Sequence, residues 1–303
     1  MKVYLNKTPV AGPWGGGNKF VSQLAEELHK KKVNVTYELT SDVDVIFCFD
    51  PRSNHQGLWY QDFLNHKIKL GSKIIQRIGD VGTHSKPDLT KLVNQTSRIS
   101  DFVIFPSEWA KNYINYDNKN CRIIKNRPHP VFYQNRKNKF KVEKKLKIIT
   151  HHWSTNEKKG FDLYAQLGKY LLHNPLRNIE FTYIGRYNEK FSKEGINVID
   201  PLNSDELSKI LPKHDLYLTA SIEEAGANHV LEALGAGLPV LYRENGGSIG
   251  EYCEGYGIEY KSDLKSMICA IDLFRKNSLY YYEKVADYTG TIDDVVREYV
   301  RII

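Results

Sequence analysis

Residues 219–241 read TASIEEAGANHVLEALGAGLPVL. The run LYLTAS that leads into this stretch is apolar and rich in strand formers, and reads as a β-strand. A loop follows, carrying Glu223 and Glu224 and then only small residues at Ala225, Gly226 and Ala227, and a helix is predicted from about Asn228 to Leu234. Gly235, Gly237 and Pro239 stop that helix and launch a further strand, PVLYR. The first N–H groups of a helix lack intrahelical partners and sit at the positive end of its dipole, so such a start is an anion site. Small residues ahead of it let a diphosphate approach the backbone. Glu232 lies one helical turn beyond Asn228, so its carboxylate can reach back to a ligand at that end. Beside a bound diphosphate, a carboxylate suits the neutral hydroxyls of a ribose.

Working upstream, KVYLN, VNVTYEL, DVIFCF, KIIQRI and FVIFPS are short β-rich runs separated by segments of helical length such as Asn18–Lys32 and Gln56–Leu70. This alternation predicts a parallel sheet covered by helices. After CRIIKNRPHPVFY the basic, weakly apolar stretch Gln134–Lys145 reads as a linker, and the alternation restarts with LKIIT, a helix from about Gly160 to His173, IEFTYIG, NVID and LYLTAS. Beyond Lys261 the pattern is helical to the end. The expected organisation is therefore two Rossmann-like domains, residues 1–140 and 141–277, with terminal helices over 278–303 that cross back to the first. Ligands of open α/β sheets bind outside the carboxyl ends of the strands, and a cleft between two such domains is the default site.

At 303 residues the chain is about twice the ~150 typical of one domain. Apolar residues at 41% and charged residues at 26% exclude a disordered, collagen-like or coiled-coil chain. No stretch has the length of a membrane span and the N-terminal residues lack a signal-peptide core, so a cytoplasmic location is expected. Cys48, Cys121, Cys253 and Cys269 have no metal-site spacing and are expected as buried free thiols. The net charge of +7 is uneven: Lys111 to Lys147 carries twelve Lys/Arg against Asp117 and Glu143. Such a block suits phosphates, an acidic substrate or peripheral contact with an anionic membrane.

The stretch Glu224-AGANHVL-Glu232-ALGAGLPV resembles the signature of the retaining glycosyltransferases of family four, a Glu, seven residues and a second Glu followed by Ala and a Gly-x-Pro-Val turn. That family has the GT-B fold, two Rossmann-like domains facing across a cleft. The resemblance implies that Glu224 contacts the donor sugar, that the amides of Gly226, Ala227 and Asn228 hold the diphosphate, and that Glu232 binds the ribose. Lys159-Gly160 is similar to the Lys-Gly that opens a helix in the second domain and pairs the Lys with donor phosphates. The family's Arg about six residues earlier is missing, with Trp153 near its position, and Lys158, Arg186 or Arg243 could replace it. The glycine-rich loop with Gly16 and Gly17 is similar to the family's Gly-Gly loop over the donor phosphates. Within RIGDVGTH, Asp80 and His84 are candidates for the polar residue near the reacting sugar. Ser107-Glu108-Trp109 and Asn126 resemble architectural segments of the first domain.

Asp42-Val43-Asp44 spells the D-x-D by which a different glycosyltransferase fold holds a metal. It enters a strand rather than leaving one, so it reads as a chance match, and neither metal nor cofactor is expected. Tyr280-Tyr281-Tyr282 reads as packing within the last helices. The chain is short for GT-B, so trimming is expected in the first domain, where acceptor recognition resides.

The implied activity is transfer of a sugar from a nucleoside-diphosphate sugar, a UDP-sugar by preference, to a hydroxyl of a glycan, lipid or protein acceptor with retention at the anomeric carbon. Alternatives are a nucleotide-sugar epimerase of the same fold and a nucleic-acid-binding module built on residues 111–147; a two-lobed solute-binding protein is disfavoured because no export signal is read. No nucleic-acid partner is expected on the favoured reading.

Overall fold

The structure, a computed structural model, describes residues 1–10, 16–138 and 144–303. In chain order its elements are β1 (Lys2–Leu5), α1 (Gly16–Lys30), β2 (Asn34–Thr36), β3 (Val45–Cys48), α2 (Tyr60–Leu70), β4 (Lys73–Arg77), α3 (Pro87–Ile99), β5 (Phe102–Phe105), α4 (Glu108–Tyr113), β6 (Cys121–Ile123) and α5 (Val131–Gln134). There follow β7 (Leu146–His152), α6 (Phe161–His173), β8 (Ile179–Gly185), β9 (Asn197–Ile199), α7 (Ser204–Ile210), β10 (Leu216–Thr219), α8 (Asn228–Gly235), β11 (Val240–Arg243), α9 (Ser248–Cys253), β12 (Gly257–Tyr260), α10 (Leu264–Lys276), α11 (Ser278–Ala286) and α12 (Ile292–Val300). Among the described residues the strands form two six-stranded parallel sheets, β2-β1-β3-β4-β5-β6 and β12-β11-β10-β7-β8-β9. The chain is an α/β protein of two compact units, Met1–Asn126 with Ile292–Ile303, and Arg127–Thr291.

In the first unit α1 buries Phe20, Val21, Leu24 and Leu28, one helical stripe, against Val3 and Leu5 of β1 and Val45 and Phe47 of β3. The C-terminal α12 closes the same core with Val295, Val296 and Tyr299, and the Tyr299 ring meets Phe20 edge-on at 4.8 Å. Each such side chain contributes about 1.5–3 kcal/mol by leaving water.

In the second unit the strands are buried on both faces, as a parallel sheet requires. Ile149, Ile184, Tyr217 and Val240 face α8 and its Val230, Leu231 and Leu234, while Ile148, Phe181, Leu218 and Leu241 pack with α6 and α10. This period-two alternation fixes the register that brings β7 and β10 together.

The division differs from the sequence-based one at both ends of the second unit. The expected boundary at residue 140 lies outside the described residues, and the chain already belongs to the second unit at Arg127. Tyr133 donates its hydroxyl hydrogen to Gly290 O at 2.7 Å, Arg136 donates to the carbonyls of Tyr288 and Val285, and Lys137 Nζ pairs with Asp215 at 2.7 Å. A stretch read as solvated linker is thus fastened by its charges. Helix α11 also stays with the second unit, because Tyr282 is fully buried and donates to Asp215 O, so only α12 belongs with the first.

Cys48 and Cys253 are buried, whereas Cys121 at the edge strand β6 is half-buried and Cys269 on the outer face of α10 is exposed; all four are free thiols. The basic block is divided between the two units, and several of its cations are engaged: Arg122 with Glu298, Arg127 with Thr289 O, Arg136 and Lys137 as above, Lys145 with Glu180. Among the described residues no helix is long and apolar enough to cross a membrane.

Candidate active site

In the second sheet β8 and β9 extend from one side of β7, and β10, β11 and β12 from the other. The carboxyl ends of β7 and β10 therefore diverge into loops on opposite faces, and the crevice between those loops is the ligand site of this topology. The loops in question are residues 153–160 and 220–227.

The two loops are laced together. Ile222 N–H donates to Lys158 O at 3.0 Å, Lys158 pairs with Glu223, and Lys159 pairs with Glu224. The Lys159 and Glu224 side chains are only 11% and 12% exposed, so this charge pair is largely removed from water. Gly160 has φ +82°, and a Cβ there would lie 2.4 Å from Ala220 Cβ, so only glycine allows the two loops this approach. That is the local reason for the Lys-Gly pair.

A third loop, residues 244–247, props up the acidic one. Glu223 N–H donates to Asn245 O at 2.9 Å, Glu224 N–H to Gly246 O at 3.1 Å, and Ser248 N–H to Glu224 O at 2.8 Å. Glu223 itself sits at φ +55°, a backbone that non-glycine residues adopt at a cost, held by these bonds. Gly247, Asn245 and Ser248 were not singled out from sequence; the signal available was an Asn-Gly-Gly run directly after a strand.

Helix α8 begins at Asn228, as expected. The Ala227 N–H donates to Ser248 Oγ at 3.2 Å and the Asn228 N–H to Gly226 O at 3.0 Å, so these two amides serve the loop's own shape. Glu232, one turn on, is bonded through Oε2 to His151 Nε2 at 2.7 Å. His151 and His152 end β7, and each imidazole meets a tyrosine hydroxyl: Tyr217 at 3.1 Å from His151 Nδ1, Tyr164 at 2.8 Å from His152 Nε2. Burial holds the Tyr164 phenol up at about 12 and Tyr217 well above its ordinary value, so both remain protonated donors. Ser221 Oγ is buried in the same loop without a hydrogen-bond partner among the described residues.

Of the three cations considered as replacements near Trp153, Lys158 is paired with Glu223 and Arg243 donates to Ser262. Arg186, on the loop after β8, lies 5.6 Å above the Trp153 ring.

In the first unit Gly16 and Gly17 open α1 after β1, and residues 11–15 of that loop lie outside the described residues. Asp80 and His84 are on the loop after β4. Asp80 accepts from Gly82 N–H at 2.8 Å and pairs with Lys86 at 2.7 Å, a turn-forming role. Ser107 caps α4 by accepting from Ala110 N–H at 3.0 Å, which makes that segment architectural. Asp42 and Asp44 are both bonded to Lys2 at the start of the first sheet, away from its carboxyl edge. Among the described residues no group of three or more His, Cys, Asp or Glu is placed to hold a metal.

No protein-family model matches the chain, and no curated protein does. Solved structures do. WaaG, a glycosyltransferase involved in lipopolysaccharide biosynthesis, superposes with a TM-score of 0.67 over 100% of this chain and 99% of its own at 15% identity. A glycosyltransferase from Rickettsia africae gives 0.69 over 99% and 97% at 13% identity, and Anabaena HepE, solved with UDP and glucose, 0.68 over 99% and 98% at 12%. The fold is GT-B. At these identities the likeness is one of architecture, and it spans the GT-B chain end to end.

Proposed function

We propose that this protein is a glycosyltransferase that moves a sugar from a nucleoside-diphosphate sugar, UDP-linked by preference, to an acceptor hydroxyl with retention at the anomeric carbon. The observation that carries the reading is the meeting of Lys159, Glu224 and Glu232, three of the residues that the sequence resemblance selects, at the crevice between β7 and β10 in a chain with this fold. Solved neighbours that hold UDP or UDP-glucose support a nucleotide-sugar donor.

Departure of the nucleoside diphosphate builds negative charge that must be met by fixed positive groups. In the proposal Lys159, Arg186, the Gly226 amide and the positive end of α8 supply them, with no metal, while Glu224 orients the sugar and Glu232 takes the ribose hydroxyls. The resemblance assigns Gly16 and Gly17 to the donor phosphates and His84 to the reacting sugar. A retaining displacement of this kind lets the leaving phosphate accept the acceptor's proton, so positioning replaces a strong protein base. The acceptor is a glycan, lipid or protein hydroxyl, and the site works from the cytoplasm, where nucleotide sugars are made.

The test is calorimetric titration with UDP, GDP and ADP in EDTA on the wild type, Lys159→Ala and Glu232→Ala, followed by a sugar panel with the base that binds. Micromolar binding of one diphosphate, weakened at least about tenfold (1.4 kcal/mol) by each substitution, supports the reading. Binding that ignores both substitutions, or that requires a divalent metal, overturns it. NMR of the product anomer then separates transfer with retention from inversion or epimerisation.

A further inference from the structure

Glu232 is held from beneath by a histidine that is itself held by a tyrosine. The His151 side chain is only 4% exposed, its Nε2 lies 2.7 Å from Glu232 Oε2, and its Nδ1 lies 3.1 Å from the Tyr217 hydroxyl. The hydrogen on Nε2 is placed by its partner, because a carboxylate oxygen accepts and does not donate. The backbone N–H of His151 donates to the Tyr217 oxygen at 3.2 Å, so the phenol's own hydrogen must go elsewhere. The phenol has His151 Nδ1 at 3.1 Å, His151 O at 3.3 Å and the Thr150 hydroxyl as partners. A neutral imidazole that accepts at Nδ1 carries its hydrogen on Nε2, and that hydrogen points at Glu232. The neighbouring His229, whose ring centre is 6.4 Å from that of His151, is bonded to Thr219 Oγ1 at 3.0 Å.

A glutamate side chain on a helix surface has several rotamers, and a carboxylate offers about four acceptor positions. The His151 hydrogen bond occupies one position on Oε2 and narrows the rotamers open to Glu232. We propose that His151 is a positioning residue for Glu232, presenting the remaining carboxylate positions to both hydroxyls of a ribose at once and so making the site selective for ribonucleotides. This rests on the reading of Glu232 as the ribose contact. A site built to bond a hydroxyl pair rejects a ligand that lacks it, because the polar group is then left without its partner.

The experiment compares UDP, ADP and GDP with their 2′,3′-dideoxy counterparts by calorimetry, so the readout is the ratio of affinities for the base that binds. Wild type is expected to favour the ribose form by about tenfold or more, and His151→Leu to bring the ratio within about threefold. His151→Gln, whose amide can still donate to Glu232, should restore most of the ratio, and pyrophosphate affinity should be the same in all three proteins. A ratio unchanged in His151→Leu overturns the inference; if that variant does not fold, Tyr217→Phe takes its place with the same expected fall. Loss of the ratio in Glu232→Gln with its retention in the His151 variant sinks the positioning role alone. A ratio untouched by Glu232→Gln, or no binding by any of the three nucleotides, sinks the ribose reading with it.

Discussion

The ammonium of Lys159 and the carboxylate of Glu224 are joined in an ion pair that ties the loop after β7 to the loop after β10. Both side chains are almost withdrawn from solvent, so neither charge is well hydrated if the other is deleted. Lys159→Met and Glu224→Gln should each lower unfolding stability by about 3 kcal/mol, and the double variant by clearly less than the sum. Urea unfolding of the four proteins measures this; additive losses would mean the pair is not coupled.

The acidic loop depends equally on what lies beneath it. Gly247 has φ +72°, and a Cβ there would fall 2.5 Å from Glu224 O. Gly247→Ala should therefore displace Glu224, costing about 2 kcal/mol or more and weakening diphosphate binding. Gly250→Ala, in α9 with open space around it, is the control and should stabilise by about 0.5–1 kcal/mol through helix propensity. Thermal melts of both variants decide the matter; equal effects would remove the steric account.

Alternation of strand and helix was legible along most of the chain because each unit of a parallel sheet is local, a run of β-formers, a turn and an amphipathic helix; α9 and β12 went unread. The Glu224–Glu232 and Lys159–Gly160 spacings were legible for the same reason. What escaped was long-range. Glu232 and His151 are 81 positions apart, and only the sheet order that puts β7 beside β10 brings them to 2.7 Å. The boundary was misplaced because composition marks Arg136 and Lys137 as solvated, while their partners, the Tyr288 carbonyl and Asp215, lie 152 and 78 positions away.

His214, buried just ahead of β10, has its pKa lowered chiefly by desolvation, with the Ile210 carbonyl acting the other way. The folded protein thus prefers the neutral ring, which makes a bond from Nδ1 to Ile210 O at 3.1 Å. The unfolded chain binds the proton more readily, so this contribution to stability is full above the ordinary value of 6.5 and is lost as pH falls through it. His214→Asn can keep a donor for Ile210 but does not titrate. Its melting temperature should fall less than that of the wild type between about pH 7.5 and 5.5. Parallel curves would show that His214 is not the group responsible.

Asp80 and His84 share a loop but should separate experimentally. Asp80 bonds Gly82 N–H and pairs with Lys86, so Asp80→Ala is expected to cost about 1 kcal/mol of stability. His84→Ala should leave UDP binding as it is and lower turnover at least about tenfold, the mark of a group that acts on the reacting sugar. Steady-state kinetics beside melting curves distinguish them, and a reversed pattern would exchange the two roles.

Because α12 completes a core begun by β1, the first unit is assembled from the two ends of this sequence while the second is continuous. On the ribosome the order of completion is therefore inverted. Residues 127–291 have every strand they need before the last helix is made, whereas Phe20 and Phe47, synthesised early, wait for Tyr299 and keep an apolar face open until it arrives. A released chain truncated just short of Ile292 should have a protease-resistant second unit and a still-susceptible first one.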